Sequence, residues 1–152
     1  MKKLLAILLL IPMIAFAQHA QLSSSQTQLG AQVITFNQID SLIDMGYNQN
    51  VGLTVLKSGA YFVIAAPQVV TGKGCYNAWL TVNGDQVSNS NVQYCSQLPH
   101  QTDVIISQGA GCYEENDVIN VEQSGTGIEA IHPFGEPMIP SIIFTAFLIG
   151  DC

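Results

Sequence analysis

Four cysteines, three histidines and two sets of carboxylates are the residues of this 152-residue chain with most chemistry to offer. Cys75, Cys95, Cys112 and Cys152 form no C-x-x-C pair, and no histidine stands near one at ligand spacing. Disulfides are therefore expected rather than a metal or redox centre, with three pairings open. Cys75 and Cys95 flank Asn83 and Gly84, a strong hairpin signal because both central turn positions need positive φ. Folding the chain back at that turn brings Cys75 beside Cys95, the preferred pairing, and leaves Cys112 for Cys152.

Hydrolytic chemistry needs a nucleophile with a base, and neither G-x-S-x-G nor a Ser, His and Asp grouping is present. His19, His100 and His132 are scattered, the last two beside proline in expected loops. Glu122, Glu129 and Glu136 recur every seven residues, and a jelly roll can place two carboxylates across a sugar-binding face, but a Gly- and Pro-rich stretch holds these and a solvated loop is expected. Glu114, Glu115 and Asp117 offer hard oxygen ligands suited to calcium, against the plainer reading of a solubilising turn. The Gly-rich run Ser124 to Gly127 opens no helix and is read as a loop, not a phosphate cradle. Trp79 lies mid-strand near Tyr76 and Tyr94 and is expected in the core. No catalytic residue is assigned.

The chain that must position these groups begins with an export signal. Lys2 and Lys3 precede an apolar run from Leu4 to Ile14, and Ala15, Phe16 and Ala17 form a small-x-small cleavage site. That run is short of the roughly 20 residues that span a bilayer. Cleavage leaves Gln18 first in a domain of 135 residues, expected to be free outside the cytoplasm, secreted or periplasmic. The leader carries two lysines and no acid, so its loss takes the formal charge from −7 to −9. Only Lys57 and Lys73 then remain basic, a balance that disfavours nucleic acid and anionic membranes as partners.

Residues 18–32, rich in Gln and Ser, read as a flexible polar arm, and residues 33–152 as one domain. Within the domain, strands are expected near Val33–Phe36, Gly52–Leu56, Ala60–Ala66, Tyr76–Val82, Gln86–Val92, Asp103–Ser107, Val118–Glu122 and Ser141–Ile149, bounded by turn residues. This predicts an all-β jelly-roll sandwich. Ile39, Leu42 and Ile43 suit a single helical turn that Gly46 ends. Ala60–Ala66 and Ser141–Ile149 are apolar on both faces, so a second layer must cover each, and another subunit is the expected cover.

The ordered motifs resemble the globular head of the complement C1q family, a relative of the tumour necrosis factor fold. Val33 to Phe36 resembles its opening strand, and Tyr47, Leu53 and Gly59 to Val63 resemble its aromatic, apolar and G-x-Y-x-F positions. Leu80 to Gly84 is similar to its strand ending in Asn-Gly, and Asn116 to Val121 to its late G-D-x-V strand, with Asn116 where glycine is usual. Phe144 to Ile149 resembles its terminal F-x-G-F-L strand, with Ala146 in place of glycine. No Gly-X-Y stalk is present.

The resemblance implies about ten strands and a compact homotrimer with the terminal strand near the threefold axis. Ile142, Phe144, Phe147 and Leu148 are then the expected interface residues. It also implies that calcium could bind near the trimer apex. The expected function is a non-catalytic module for an extracellular protein or glycan ligand; a structural or coat subunit and a glycan-active enzyme are the alternatives.

Overall fold

The computed structural model describes residues 18–71, 74–96 and 101–152, so the expected export signal, Lys73 and His100 lie outside the described residues. Its strands are β1 (His19–Ser24), β2 (Gln32–Val33), β3 (Gln38–Ile43), β4 (Met45–Asn48), β5 (Gly52–Val55), β6 (Gly59–Thr71) and β7 (Gly74–Val82). They continue with β8 (Asp85–Gln86), β9 (Val92–Ser96), β10 (Gln101–Val104), β11 (Ser107–Tyr113), β12 (Val118–Gly125) and β13 (Ile142–Gly150). Among the described residues there is no helix.

Two antiparallel sheets make a jelly-roll sandwich. The first runs β10-β6-β13-β1-β3, with β11 also on β6; the second runs β4-β5-β12-β7-β8, with β2 on β12 and β9 on β7. Alternation along each strand sends one set of side chains inward. Tyr61, Val63 and Ala65 of β6 meet Ile142, Phe144 and Ala146 of β13 and Ala20 and Leu22 of β1 in one core with Tyr76, Ala78, Leu80, Ile119 and Val121 of the second sheet. Phe36 stacks on Phe144, ring centroids 5.3 Å apart, and the Tyr47 hydroxyl donates to the Phe36 carbonyl at 2.7 Å.

Several expectations are corrected. Residues 18–32 are not a flexible arm. Strand β1 pairs along its whole length with β13 and with β3 on its other side. Beyond it, Gln28 is 7% exposed: its Nε2 donates to the Thr35 carbonyl at 2.8 Å, and its Oε1 accepts the Thr35 amide at 2.8 Å. Gln123 Nε2 donates to the Gln28 carbonyl at 3.0 Å, and Ser141 Oγ to the Ser24 carbonyl at 3.0 Å. The polar composition thus forms a buried hydrogen-bonded network instead of a solvated tail.

The helical turn suggested by Ile39, Leu42 and Ile43 is strand β3. Leu22 and Ala20 of β1, two apart, face Ile39 and Leu42, three apart, because the register shifts between them. That bulge gives a strand the spacing of a helix. Strand Asp103–Ser107 is a junction between β10 and β11, both of which pair with β6. Of Val33–Phe36 only Val33 is strand, although Ile34 and Phe36 are buried. Gln86–Val92 breaks after β8, where Ser90 Oγ accepts the Leu80 amide at 3.1 Å and donates to the Val87 carbonyl at 2.7 Å.

The hairpin turn itself is as expected, with Asn83 at φ 53 and Gly84 at φ 89. Cys75 pairs directly with Cys95, and the disulfides are Cys75–Cys95 and Cys112–Cys152. Gly125 lies across from this first bridge at φ 99, where an added Cβ would collide with the Cys75 carbonyl oxygen. Gly125→Ala is therefore expected to cost about 1–3 kcal/mol, read as a lower urea midpoint at unchanged slope.

Candidate functional site

The outer face of the first sheet is built by the residues that β6 and β13 turn away from the core. Phe147 stands opposite Phe62, with ring centroids 5.5 Å apart, and Ala110 of β11 stands on the far side of Phe62. The next rung sets Thr145 beside Ile64, and the third sets Ile143, 40% exposed, beside Ala66. An apolar patch therefore covers three neighbouring strands. Toward β1 and β3 the face turns polar. His19 lies opposite both Phe147 and Ile43, its Nε2 2.7 Å from Ser41 Oγ. Ser23 Oγ lies 3.1 Å from both Gln38 Oε1 and Asp40 Oδ1, beside a shallow depression that Gln21, Met138 and Ile143 also line.

Of the four expected interface residues, Phe147 alone belongs to this face. Ile142 and Phe144 are fully buried in the core, and Leu148 stands opposite buried Tyr61 and packs against that core. Their places outside are taken by Ile143 and Thr145, because neighbours on a strand point to opposite faces. Phe62 and Ile64 also lie on this face; the doubly apolar run of β6 was their signal.

Trp79 is not a core residue. It is half-buried on the outer face of the second sheet, opposite Glu122, which itself stands opposite exposed Val33. Tyr76, by contrast, is fully buried, and its hydroxyl donates to Gln123 Oε1 at 3.2 Å.

The structure does not gather Glu114, Glu115 and Asp117 into a cation site. Asp117 Oδ2 accepts the Glu114 amide at 2.8 Å, and Oδ1 accepts from Asn83 Nδ2 at 2.7 Å. The carboxylate thereby holds the β11–β12 turn, in which Asn116 has φ 76. Among the described residues no three His, Cys, Asp or Glu side chains converge on a metal position. The glutamates spaced by seven are dispersed as well. Glu122 is on β12, the Glu129 backbone pairs with Gln68, and Glu136 lies in the turn at the tip of the β12–β13 loop, where its amide bonds the Pro133 carbonyl. His132 is exposed in the same loop, next to the fully exposed Phe134.

Burial pushes the phenol pKa values of Tyr76, Tyr61 and Tyr113 up, with the Asp117 charge adding to the effect on Tyr113. A raised folded-state value means that the unfolded chain loses its phenol protons first. The stabilisation is complete below the ordinary phenol value and declines as pH rises through it toward the folded values. Unfolding free energy is thus expected to fall above about pH 10, more gently in Tyr76→Phe, as read from urea titrations on either side of that pH.

No protein-family model matches this chain, and no curated protein does. Among solved structures, the globular domain of zebrafish complement 1qA protein is 17% identical, with 89% of this chain and 98% of that one covered at a TM-score of 0.62. Murine APRIL is 9% identical, with 88% and 99% covered at a TM-score of 0.65. At these identities the likeness is one of fold: the chain has the C1q/TNF-like jelly-roll architecture.

Proposed function

We propose that this chain is the head of an extracellular homotrimer that binds a ligand and catalyses no reaction. The observation that carries the reading is the apolar patch of Phe62, Ile64, Ile143 and Phe147 on the outer face of the first sheet, in a fold shared with a complement 1qA globular domain and APRIL. Contiguous apolar surface of this kind is stabilised by a cover. In a ring of three, one patch on each copy can be covered by the next. The two disulfides fit an oxidising compartment. Loops at the ends of the sandwich, the aromatic-tipped β12–β13 loop among them, are left free for ligand contacts.

The formal charge of −9 after leader loss favours a neutral or cationic partner, a protein or glycan surface, over a polyanion. The test is capture on a protein and glycan array, with and without calcium, by the mature domain and by Phe147→Asp. The assembled domain should hold a ligand that the variant, still folded, loses by about 10²-fold or more, as multivalent binding requires. Equal capture by both would detach binding from assembly. Open-ended polymers would favour a coat subunit, and turnover of a glycan an enzyme; either overturns the proposal.

A further inference from the structure

On the β3 side of the apolar patch, the depression beside Ser23 holds about 260 Å³ between the first sheet and the chain leading into β13. Met138, Pro140 and Ile143 form an apolar wall, and Ser23, Gln38 and Asp40 form a polar one. Ser23 of β1 stands between Ile143 of β13 and Gln38 of β3. Asp40 is the extra residue of the β1–β3 bulge: Ile39 and Ser41 have partners in the ladder and it has none. A bulge re-aims a side chain in this way. Asp40 Oδ1 and Gln38 Oε1 each lie 3.1 Å from Ser23 Oγ, whose single proton serves one of them at a time. A carboxylate accepts about four hydrogen bonds. Among the described residues, Asp40 meets no other donor and no cation. Lys57, the one lysine among them, precedes the opposite end of β6, where the Gly59–Tyr113 rung is about 20 Å from the Ala66–Ile143 rung.

We propose that this depression binds a lysine side chain of a protein partner, with the ammonium on Asp40 and Gln38 and the methylenes along Met138, Pro140 and Ile143. A charged head with an apolar stem matches a site that is a carboxylate on one side and apolar on the other. Three freely turning N–H donors suit acceptors that stand apart, as the oxygens of Asp40 and Gln38 do, better than the planar fork of a guanidinium. Charge favours the same occupant, because the domain is acidic and its field attracts cations. Size selects against a larger one: sites for drug-sized ligands run to about 300–1,000 Å³, so this smaller one suits a single side chain better than a multi-ring glycan. The proposal rests on the ligand-binding reading and not on the trimer.

The probe is the peptide acetyl-Gly-Lys-Gly-amide, titrated into the isotope-labelled mature domain and followed by NMR. The amide signals of Ser23, Asp40 and Ile143 should shift and saturate in the millimolar range, and binding should weaken as salt is raised. Acetylating the lysine nitrogen of the peptide, which removes its charge, should abolish the shifts. Asp40→Asn should bind about tenfold more weakly or worse at unchanged Tm. Phe147→Asp should bind as the wild type does, so a wild type that is monomeric yet binds the peptide fails the trimer and supports this site. Absent shifts, shifts confined to other residues, or equal binding of the acetylated peptide would each overturn the proposal. So would a methyl glycoside that moves the same signals where the peptide does not. Binding by Phe147→Asp and not by the wild type would place the depression inside a contact between copies and overturn it as well.

Discussion

A chain that begins at Val33 is expected not to fold. Strand β1 lies between β13 and β3, so its removal opens a gap inside the first sheet rather than trimming an edge. Leu22, fully buried, contributes about 1.5–3 kcal/mol by itself. Loss of residues 18–32 also takes away the Gln28 carbonyl that Gln123 Nε2 donates to and the Ser24 carbonyl that Ser141 Oγ donates to. Each buried donor left without a partner costs about 1–3 kcal/mol. With the two ladders gone as well, the loss reaches the whole stability of an ordinary domain, about 5–15 kcal/mol. Far-UV circular dichroism of the truncated chain should show no cooperative unfolding. An unchanged Tm would mean that the segment is the tail its composition suggests.

The second large effect separates two phenylalanines three residues apart. Phe144→Ala is expected to cost about 3–5 kcal/mol, because Phe144 is fully buried and stacked on Phe36, and its removal leaves a cavity that the sandwich cannot close. Phe147→Ala, on the outer face, should cost the isolated chain less than half of that while weakening assembly. Urea unfolding at high dilution, where association is suppressed, reads the first term; the concentration dependence of Tm reads the second. If Phe147→Ala were the more damaging of the two at high dilution, the inward and outward faces of β13 would be the reverse of those described.

These two residues also show where the sequence is legible. The strands β5, β6, β7, β12 and β13 were readable because β-branched and aromatic runs end in turn residues, and the Asn83–Gly84 turn aligns Cys75 with Cys95. The doubly apolar β13 was readable as a strand needing two covers. Its parity was not, since apolar side chains on both faces leave nothing to distinguish Phe144 from Phe147, and three of the four expected interface residues fell on the wrong side. Strand β3 was hidden by the bulge that sets Ile39 and Leu42 three apart. Strand β1 and the Gln28 network were hidden for another reason. Glutamine and serine are read from composition as solvated, whereas here each buried amide or hydroxyl finds its partner only through contacts distant in sequence. In the acidic turn the sequence likewise does not show that Asp117 accepts from the Glu114 amide and the Asn83 side chain.

The proposed trimer joins three copies through the Phe62 and Phe147 face. Its most direct test is the solution mass of the mature domain by sedimentation equilibrium, with Phe147→Asp run beside it. A single species of three times the chain mass is expected for the wild type, and a folded monomer with the same circular dichroism for the variant. A wild type that sediments as a monomer, or a variant that keeps the trimer, would contradict it.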